Sequence, residues 1–318
     1  MRIWFNHWFS AAYFIISELK GMYIIGSNAN EEFTYKPLCA HTEVEPELEG
    51  EEYVDFCLDF CTRNKVEVFV PKRGLADISR NLAKFAKIGV RVLADDYEKV
   101  SIFADKVRTY DFFRNKGLGC LPMFNCVTSA AEFEAIYKYL KFLPLCVKFA
   151  LDEGAQSFRI IDNAPRTLTR SRYRLQYGEL LELLGDTFPK LLVMQYLSGD
   201  EISADCLATS RGNIIIPRKK MYGRVEKIFF DETVVDLCGK ILDISGLQCP
   251  CNIQFRYDKG KLYLLEINTR MSGGLHLAAA CVNIPLVAIN KLIGNDVSWS
   301  LTKTEQLVTF AEMPILLR

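Results

Sequence analysis

The sequence predicts a mixed α/β protein in which a small, doubly wound parallel sheet precedes a larger and more strand-rich part. Strand-like and helix-like segments alternate through roughly the first 95 residues, which is the pattern of parallel strands joined by crossover helices. After residue 200 the pattern changes to apolar strands separated by short turns. With 318 residues, of which 50% are hydrophobic, the chain is long enough to form two or three packed units.

In the first part, each element is predicted from its apolar spacing and from the residue that ends it. Val54, Cys57 and Cys61 share one face of a helix, while Gly21 and Pro71 stand where a helix and a strand should end. The predicted strands are residues 2–6, 23–27, 66–70 and 90–94, and the predicted helices are residues 10–20, 53–64 and 77–88.

The second part is predicted to begin with helices and to become rich in strands. Ser129 and Glu132 have the spacing of a capping box, and the segment 258–260 is typical of a hairpin turn. The predicted helices are residues 105–116, 129–142, 173–184, 231–245 and 275–293. The predicted strands are residues 144–149, 159–162, 191–196, 202–208, 214–217, 252–257 and 261–268.

The composition argues against several classes of protein. Lys+Arg and Asp+Glu both number 39, so the chain lacks the basic excess of proteins that bind nucleic acid or membrane surfaces non-specifically. No apolar run reaches the roughly 18 residues of a membrane span, and polar residues interrupt the apolar segment 1–16, which has no clear signal-peptide cleavage site.

The 11 cysteines are scattered through apolar surroundings. Cys249 and Cys251 form an isolated C-x-C pair, without a second pair at zinc spacing or a nearby histidine. We therefore expect reduced thiols in a cytoplasmic protein, since a chain of this size does not need disulfides to stabilise its fold.

Polar side chains alternate on both strands of the predicted hairpin. Because successive strand residues face opposite sides, Glu266, Asn268 and Arg270 share one face, and Asn252 and Gln254 alternate on the partner strand. Carboxylate and amide oxygens suit Mg²⁺, and a guanidinium binds phosphate or carboxylate. The pattern therefore predicts a metal and phosphate site, with a half-solvated edge strand as the alternative.

Lys148 ends another apolar strand and precedes a loop that contains Gly154 and Ser157. Small loop residues allow backbone N–H groups to approach a phosphate, to which the lysine adds a positive charge. The alternative is an ordinary solvated lysine at the end of a strand.

A third segment follows the predicted strand that ends at Tyr196 and Leu197. Glu201, Ser203 and Asp205 alternate there. The segment is interpreted either as an adenine slot with a carboxylate for ribose hydroxyl groups or as a half-exposed strand.

In this order, the motifs resemble those of the ATP-grasp superfamily, the carboxylate–amine ligases related to carbamoyl-phosphate synthetase and biotin carboxylase. The matching segments are residues 104–106, 147–148, 194–201, 217–220, 252–254 and 266–270. Residues 3–10 and 69–73 further resemble the branch associated with tellurium-resistance-type operons. The resemblance covers nearly the whole chain. It implies a Rossmann-like pre-ATP-grasp domain at residues 1–96 and a two-lobed ATP-grasp domain at residues 97–318, with a lid subdomain at about 120–190.

The resemblance also implies a role for each matching residue. Lys106, Lys148, Gly154 and Ser157 would contact the phosphates of ATP; Gln195, Tyr196 and Leu197 the adenine; Glu201 the ribose; and Gln254, Glu266 and Asn268 would bind Mg²⁺ or Mn²⁺, with Arg270, Lys148 and Lys220 as catalytic residues. The implied reaction activates a small-molecule carboxylate as an acyl phosphate. An amine, or more rarely a thiol, then attacks it, and ADP and phosphate are released. A homodimer is ordinary for the class.

The substrate residues are predicted from position alone. Parallel sheets bind ligands at the carboxyl ends of their strands, where His7 and Arg73 stand. His276 follows Gly273 and Gly274 at a helix start beside the metal strand. A packing role is the alternative for both histidines. The arginine-rich segment 166–174 is either a solvated helix start or a surface for an acidic substrate.

Two departures from the family pattern leave a second hypothesis open. Thr269 replaces the usual proline of an Asn-Pro-Arg motif, and the phosphate loop 152–157 is poor in glycine and carries two acids. The alternative is therefore a degenerate ATP-grasp module that binds a nucleotide or a partner without catalysis. A Rossmann-type oxidoreductase is rejected, because no G-x-G-x-x-G motif follows the first strand.

Overall fold

The structure is a computed structural model that describes residues 1–152, 156–162, 173–295, 298–311 and 314–316. By compactness the chain divides into two units. The first unit comprises Met1–Ser101, Glu201–Gln254 and Ile267–Arg318, and the second comprises Ile102–Asp200 and Phe255–Glu266. The predicted domain boundary at residue 96 and the predicted lid remain predictions.

A five-stranded parallel sheet opens the first unit. Its strands are β1 (Arg2–Asn6), β2 (Tyr23–Asn28), β3 (His41–Val44), β4 (Val68–Val70) and β5 (Arg91–Val92), in the order β3-β2-β1-β4-β5. The helices of this segment are α1 (Ala12–Ser17), α2 (Gly50–Arg63), α3 (Leu75–Arg80) and α4 (Leu82–Lys87). The predicted α/β fold class with a doubly wound parallel sheet is confirmed.

The alternation of side chains along β1 produces the two layers that cover this sheet. Ile3 and Phe5 are fully buried in the core that includes α1, whereas Trp4 points to the opposite core, which includes α2. There the Trp4 ring stacks on Phe60, with a centroid distance of 4.2 Å, and on Phe69, at 4.0 Å. Burying aromatic rings on both faces explains why this short strand can be central.

The second unit is built around an open sheet of its own. Its strands are β6 (Phe124–Ser129), β7 (Leu145–Phe149), β8 (Arg159–Ile161), β9 (Arg174–Leu175) and β10 (Thr187–Gln195), in the order β6-β10-β7-β8-β9. The accompanying helices are α5 (Tyr97–Ala104), α6 (Lys106–Asn115), α7 (Ala130–Leu140) and α8 (Tyr177–Leu184). The Ser129 hydroxyl accepts a hydrogen bond from the Glu132 N–H at the start of α7, as the capping pattern predicts.

The third sheet contains the polar strands that the sequence analysis singled out. Its order is β15-β14-β11-β12-β13-β16, with β11 (Glu201–Thr209), β12 (Gly212–Tyr222), β13 (Val225–Ile228), β14 (Cys251–Asp258), β15 (Lys261–Asn268) and β16 (Gln306–Val308). The helices are α9 (Glu232–Ser245), α10 (Leu275–Ala278) and α11 (Ile284–Leu292). Lys259 and Gly260 both have positive φ angles, 48° and 77°, as expected of the predicted tight hairpin turn.

Four predicted helices differ from the structure. The helix predicted at residues 173–184 begins only at Tyr177, because Arg174 and Leu175 form β9, which pairs with β8. The helix predicted at residues 10–20 is only Ala12–Ser17. The one predicted at 77–88 is two helices separated at Asn81, whose side chain donates to the Asp77 carbonyl at 2.9 Å. The one predicted at 275–293 is α10 and α11, because Asn283 caps the Leu286 N–H and Pro285 occupies the first turn of a new helix.

The strands β3, β6, β9, β13 and β16 lie outside every predicted strand. They are short or polar, as in the Val225-Glu-Lys-Ile228 sequence of β13. Their extended conformation comes from pairing with neighbours, for example of β13 with both β12 and β16. A pattern of apolar alternation cannot reveal strands of this kind.

All eleven cysteines are free in the structure, and Cys126 is exposed. Within the described residues, no helix combines the length and the apolar character that crossing a bilayer requires.

Asp95 connects two distant segments of the first unit. Its buried carboxylate accepts the backbone N–H groups of Gln248, at 2.8 Å, and Cys249, at 3.0 Å. Losing the carboxylate would leave these two donors unsatisfied.

We expect Asp95→Ala to lower the free energy of unfolding by about 1–3 kcal/mol, the usual cost of unsatisfied buried donors. Urea denaturation measures this change. Asp55→Ala, at an exposed position of α2, is the matched control and should unfold as the wild type does. Equal stability of the two variants would show that the Asp95 bonds contribute nothing.

Candidate functional site

Two lysines and a carboxylate predicted from the sequence lie close together in the second unit. Lys106 begins α6 directly after Asp105, whose side chain caps the helix by accepting the Val107 and Arg108 N–H groups. The buried Lys106 ammonium donates to the Asp152 carbonyl at 2.7 Å and lies 3.5 Å from the Glu266 carboxylate. Lys106 is therefore held by the loop on one side and by β15 on the other.

Lys148 reaches the same strand from β7. Its ammonium donates to the Leu265 carbonyl at 3.3 Å, which also accepts the Tyr110 hydroxyl at 2.7 Å. Desolvation by burial lowers the pKa of Lys148 to about 8, with Glu266 opposing this shift and Lys106 adding to it. Tyr110 is fully buried and was missed by the sequence analysis, which had no signal to place it beside Lys148.

The charges of this cluster balance. Lys106 and Lys148 are offset by Glu266 and by the carboxylate of Asp152, which also acts on Lys148. Since the positive charges of Lys106 and Lys148 are offset within this described cluster, a triphosphate that entered it would bring negative charge in excess. The cluster is thus suited to a polyanion that arrives together with a divalent cation.

The predicted phosphate loop is only partly described, and Gly154 lies outside the described residues. Ser157 turns inward, where its hydroxyl donates to the Asp152 carboxylate at 2.5 Å and accepts the Phe149 N–H at 2.9 Å. The Ser157 N–H also donates to Asp152. The hydroxyl thus holds the loop against β7. Most of the arginine-rich segment 166–174 also lies outside the described residues.

The predicted adenine segment follows β10. The Gln195 side chain donates to the Asp258 carboxylate at 3.2 Å, and the Tyr196 N–H donates to the Pro144 carbonyl at 2.8 Å. Leu197 is buried, and its carbonyl accepts the Arg256 guanidinium at 3.4 Å. The segment is therefore firmly held by its neighbours, and its contact with adenine remains a prediction.

In the first unit, a buried carboxylate links three strands and a loop. Asp205 accepts the Arg218 guanidinium at 2.8 Å, the Ser272 hydroxyl at 2.7 Å and the Asn252 amide at 2.9 Å. Arg218 also pairs with Glu226. Asp205 and Arg218 are 1% and 3% exposed, so this network is nearly sealed from water.

The network also orients a predicted metal ligand. The Gln254 side chain donates its amide N–H to the Asn252 Oδ1 at 3.2 Å. This hydrogen bond identifies which terminal atom of Gln254 is the nitrogen, so the side-chain oxygen is the atom that does not face Asn252. Asn268 lies two residues after Glu266 on β15, and Arg270 follows the strand. Among the described residues, no group of three or more His, Cys, Asp and Glu could hold a metal, so a cation here would need amide oxygens.

Lys220 and Glu201, which the resemblance implied to contact ATP, are both exposed. Lys220 lies opposite Glu226 near the end of β12, two residues beyond the buried Arg218. Arg218 was missed because lysines and arginines in one segment look alike in sequence. The sequence also gave no indication that Arg218 pairs with Asp205, because Asp205 is interpreted there only as part of the strand that follows the adenine segment.

The residues predicted to face the substrate have structural partners. Arg73 donates to Glu45 and to the Pro46 and Leu48 carbonyls, and stacks over the Tyr53 ring. The His276 ring stacks on Phe14, and its Nδ1 lies 3.0 Å from the Gly273 carbonyl. His7 accepts the Ala29 N–H through Nδ1. Their contact with a substrate remains a prediction.

Comparison with known proteins places this geometry in context. A family model described as "ATP-grasp in the biosynthetic pathway with Ter operon" matches residues 187–313. The carbamoyl phosphate synthase large chain of Clostridium acetobutylicum is 22% identical over 266 residues, which cover 77% of this chain and 24% of that protein. The chain spans about a quarter of the length of the curated relatives that it matches.

Solved structures show the same fold. The N5-carboxyaminoimidazole synthetase of Staphylococcus aureus, complexed with ADP, has a TM-score of 0.72 at 11% identity over 95% of this chain and 79% of its own. The biotin carboxylase domain dimer of the Hydrogenobacter thermophilus 2-oxoglutarate carboxylase, in complex with MgADP, ADP and bicarbonate, has a TM-score of 0.69 at 16% identity, covering 94% and 71%. The predicted resemblance to the ATP-grasp superfamily, with its Ter-associated branch, is confirmed.

Gly274 gives the buried Arg218 room, which generates a test. A Cβ atom at this position would lie 2.5 Å from a guanidinium nitrogen that Asp205 and Glu226 hold in place. We expect Gly274→Ala to destabilise the protein by about 1–3 kcal/mol through overpacking, as measured by chemical denaturation.

Gly239→Ala is the matched control, because the Gly239 position in α9 has open space around it. Alanine should stabilise this helix by up to about 1 kcal/mol. If Gly274→Ala were as stable as Gly239→Ala, the guanidinium could move without cost, contrary to the sealed network.

Proposed function

We propose that this ATP-grasp protein is an ATP-dependent ligase that activates a small-molecule carboxylate as an acyl phosphate and transfers the acyl group to an amine or, more rarely, a thiol. The observation that carries the proposal is the cluster of Lys106, Lys148 and Glu266 against the Leu265 carbonyl. A buried lysine and a partly buried one, beside a carboxylate and at an irregular loop, are suited to holding a nucleoside triphosphate. Two of the similar solved structures are complexes with ADP or MgADP, which supports the same class of ligand.

In this proposal the second unit holds the nucleotide. Lys106 and Lys148 bind the phosphates, while the segment from Gln195 to Leu197 contacts the adenine. Glu201 is proposed to reach the ribose. Because the two lysines are already fixed by backbone carbonyls, little reorganisation is needed when the phosphates bind.

A divalent cation fits the donor set that the chain offers. Glu266 supplies a carboxylate, and Gln254 and Asn268 supply amide oxygens, which are hard ligands that suit Mg²⁺ or Mn²⁺. The Gln254 nitrogen is already bound to Asn252, so its oxygen is the atom that remains for a cation. The cation, when bound, would neutralise the phosphate charge that the balanced lysine cluster cannot.

The chemistry then depends on positioning and on charge. A carboxylate is a poor electrophile, and taking the γ-phosphoryl group of ATP gives it a good leaving group. Lys148 and Arg270 are proposed to stabilise the negative charge on the transferred phosphoryl group. The exposed Lys220 is proposed to have the same role. The amine attacks the acyl carbon, and phosphate leaves.

A degenerate module that binds nucleotide without catalysis is the second candidate. The observation that favours it is the inward-turned Ser157, whose hydroxyl is used by Asp152 and the Phe149 N–H. Because the N–H and the hydroxyl of Ser157 already donate to the Asp152 carboxylate, the loop would offer fewer hydrogen-bond donors to a nucleotide. Product analysis separates the two candidates, because only a ligase forms ADP when both an acid and an amine are present.

The pKa of Lys148, about 8, predicts how nucleotide affinity depends on pH. Only the charged ammonium binds phosphate well, so MgATP affinity should fall as the pH rises from about 7 to about 9, and binding should take up a proton. Calorimetric titration in buffers of different ionisation enthalpy measures both effects. Lys148→Arg keeps the charge across this range and should abolish the pH dependence. A wild-type affinity that is constant from about pH 7 to about pH 9 would contradict the assignment.

The carboxylate of Glu266 provides the test of the metal site. We expect Glu266→Gln to weaken MgATP binding about tenfold or more, since a hard anionic ligand is lost. The readout is calorimetry with and without Mg²⁺, followed by ADP formation in the presence of paired acids and amines. Glu305→Gln, which breaks an exposed pair with Lys227, is the control and should bind as the wild type does. Unchanged binding in Glu266→Gln with an intact fold would refute the proposed ligand set.

A further inference from the structure

Helix α6 brings two polar side chains to neighbouring positions of β15. Lys106 and Tyr110 are four residues apart, so they lie on the same face of the helix. The Lys106 ammonium lies 3.5 Å from the Glu266 carboxylate, and the Tyr110 hydroxyl donates to the carbonyl of the preceding residue, Leu265, at 2.7 Å. One face of α6 therefore contacts both a proposed metal ligand and the backbone beside it.

The core of the second unit fixes the position of the Tyr110 hydroxyl. The Tyr110 ring is fully buried, belongs to the same apolar cluster as Cys146 and Met194, and lies 5.0 Å from the Phe124 ring, measured between centroids. Burial raises the pKa of Tyr110, and the nearby Glu266 adds to this shift. The hydroxyl therefore stays protonated and acts as a hydrogen-bond donor at a fixed point.

Lys148 shares the acceptor of Tyr110. The Leu265 oxygen accepts the Lys148 ammonium at 3.3 Å, which is long for a charged donor, since such bonds are usually about 2.7–2.9 Å. By contrast, Lys106 donates to the Asp152 carbonyl at 2.7 Å. The tyrosine hydroxyl thus takes the closer position at the Leu265 carbonyl, and Lys148 is the more weakly held of the two lysines.

The charges around Lys148 come from three directions. Burial lowers the pKa of Lys148 and Lys106 on α6 adds to this shift, whereas Glu266 on β15 and Asp152 after β7 oppose it. Burial also raises the pKa of the neighbouring Cys146 thiol to about 11, so this thiol is neutral near pH 7. With charges of both signs close by, the bond to the carbonyl is a directed interaction that an arriving phosphate would have to replace.

We propose that Tyr110 is a positioning residue for Lys148: by occupying the Leu265 carbonyl, its hydroxyl keeps the lysine ammonium weakly held and able to turn to a nucleotide phosphate. The assignment rests on the proposed function, and Tyr110 acts through Lys148 rather than by contact with the nucleotide. Without the hydroxyl, the carbonyl would bind Lys148 more closely, and a phosphate would have to break a stronger bond. The alternative is a purely structural Tyr110, whose hydroxyl only ties α6 to β15.

Tyr110→Phe removes the hydroxyl and keeps the ring. The Leu265 carbonyl retains Lys148 as a donor, so the variant should fold, and we expect its MgATP affinity near neutral pH to be about three- to tenfold lower than that of the wild type. Because the charged form of Lys148 gains a stronger acceptor, the fall of affinity with rising pH should also begin at a higher pH. Calorimetric titration at several pH values measures both changes.

Tyr35→Phe is the matched control. Tyr35 belongs to the first unit, is also fully buried, and donates its hydroxyl to a backbone carbonyl, that of Ser27, at 2.8 Å. This variant should lose stability but bind MgATP as the wild type does. An equal loss of affinity in the Tyr35 and Tyr110 variants would show that the loss of any buried hydroxyl weakens binding, and would overturn the positioning role.

A double-mutant cycle separates positioning from structure. Lys148→Met removes the ammonium on which Tyr110 is proposed to act, so in this background Tyr110→Phe should change MgATP affinity by less than about twofold. Equal effects of Tyr110→Phe with and without Lys148 would establish the purely structural role. An unchanged affinity and pH profile in the Tyr110→Phe single variant would establish it as well.

Binding to the wild type distinguishes failure of this role from failure of the proposed function. If the wild type binds MgATP but the cycle shows no coupling between Tyr110 and Lys148, only the positioning role is wrong. If the wild type does not bind MgATP while its fold is intact, the proposed function fails, and the role of Tyr110 fails with it.

Discussion

The buried pair of Asp205 and Arg218 is the interaction on which the arrangement of the first unit's polar residues depends. A carboxylate and a guanidinium that are removed from water must each be fully hydrogen-bonded, or the fold loses several kcal/mol. This requirement draws Ser272 and Asn252 onto Asp205 and demands a residue without Cβ at Gly274. The loop after β15, which carries Arg270, is consequently anchored at Ser272. The catalytic role proposed for Arg270 would benefit from such an anchor, because a catalytic side chain must be held in place before a substrate arrives.

In the second unit, a balance of charge has the corresponding role. Lys106 can be buried and Lys148 partly buried because Glu266 and backbone carbonyls lie beside them. The balance leaves little surplus positive charge for a triphosphate, and desolvation lowers the pKa of Lys148 to about 8. The same charge balance that stabilises the protein without a ligand would therefore favour a metal-bound nucleotide over an anion without a cation.

Several site residues could be predicted from sequence because their positions follow from local rules. Lys148 lies at a strand end and Glu266 alternates with apolar residues, so the type and face of each were accessible from spacing. Arg218 and Lys220 could not be separated in this way, because they are two residues apart and have the same strand parity. Arg218 lies between Ser203 of β11 and Ile228 of β13 and is buried, whereas Lys220 lies beside Glu226 of β13, beyond the last β11 pair, and is exposed. The same limit applies to the helices, where Asn81 and Asn283 interrupt patterns that apolar spacing alone would continue.

The sequence by itself determined the alternation of strands and helices that gives the parallel sheet, the hairpin at Lys259 and Gly260, and the faces on which the polar residues of the hairpin lie. These features depend on neighbours within a few residues, where backbone geometry converts spacing directly into direction. Only the tertiary structure decided the partner of each ionisable group: Arg73 for Glu45, Ser157 for Asp152, and the Leu265 carbonyl for Lys148, which is 117 residues away in sequence. The physical reason is that hydrogen bonds and charge interactions act through space over a few ångströms. Which distant residues come that close is set by the packing of the whole core.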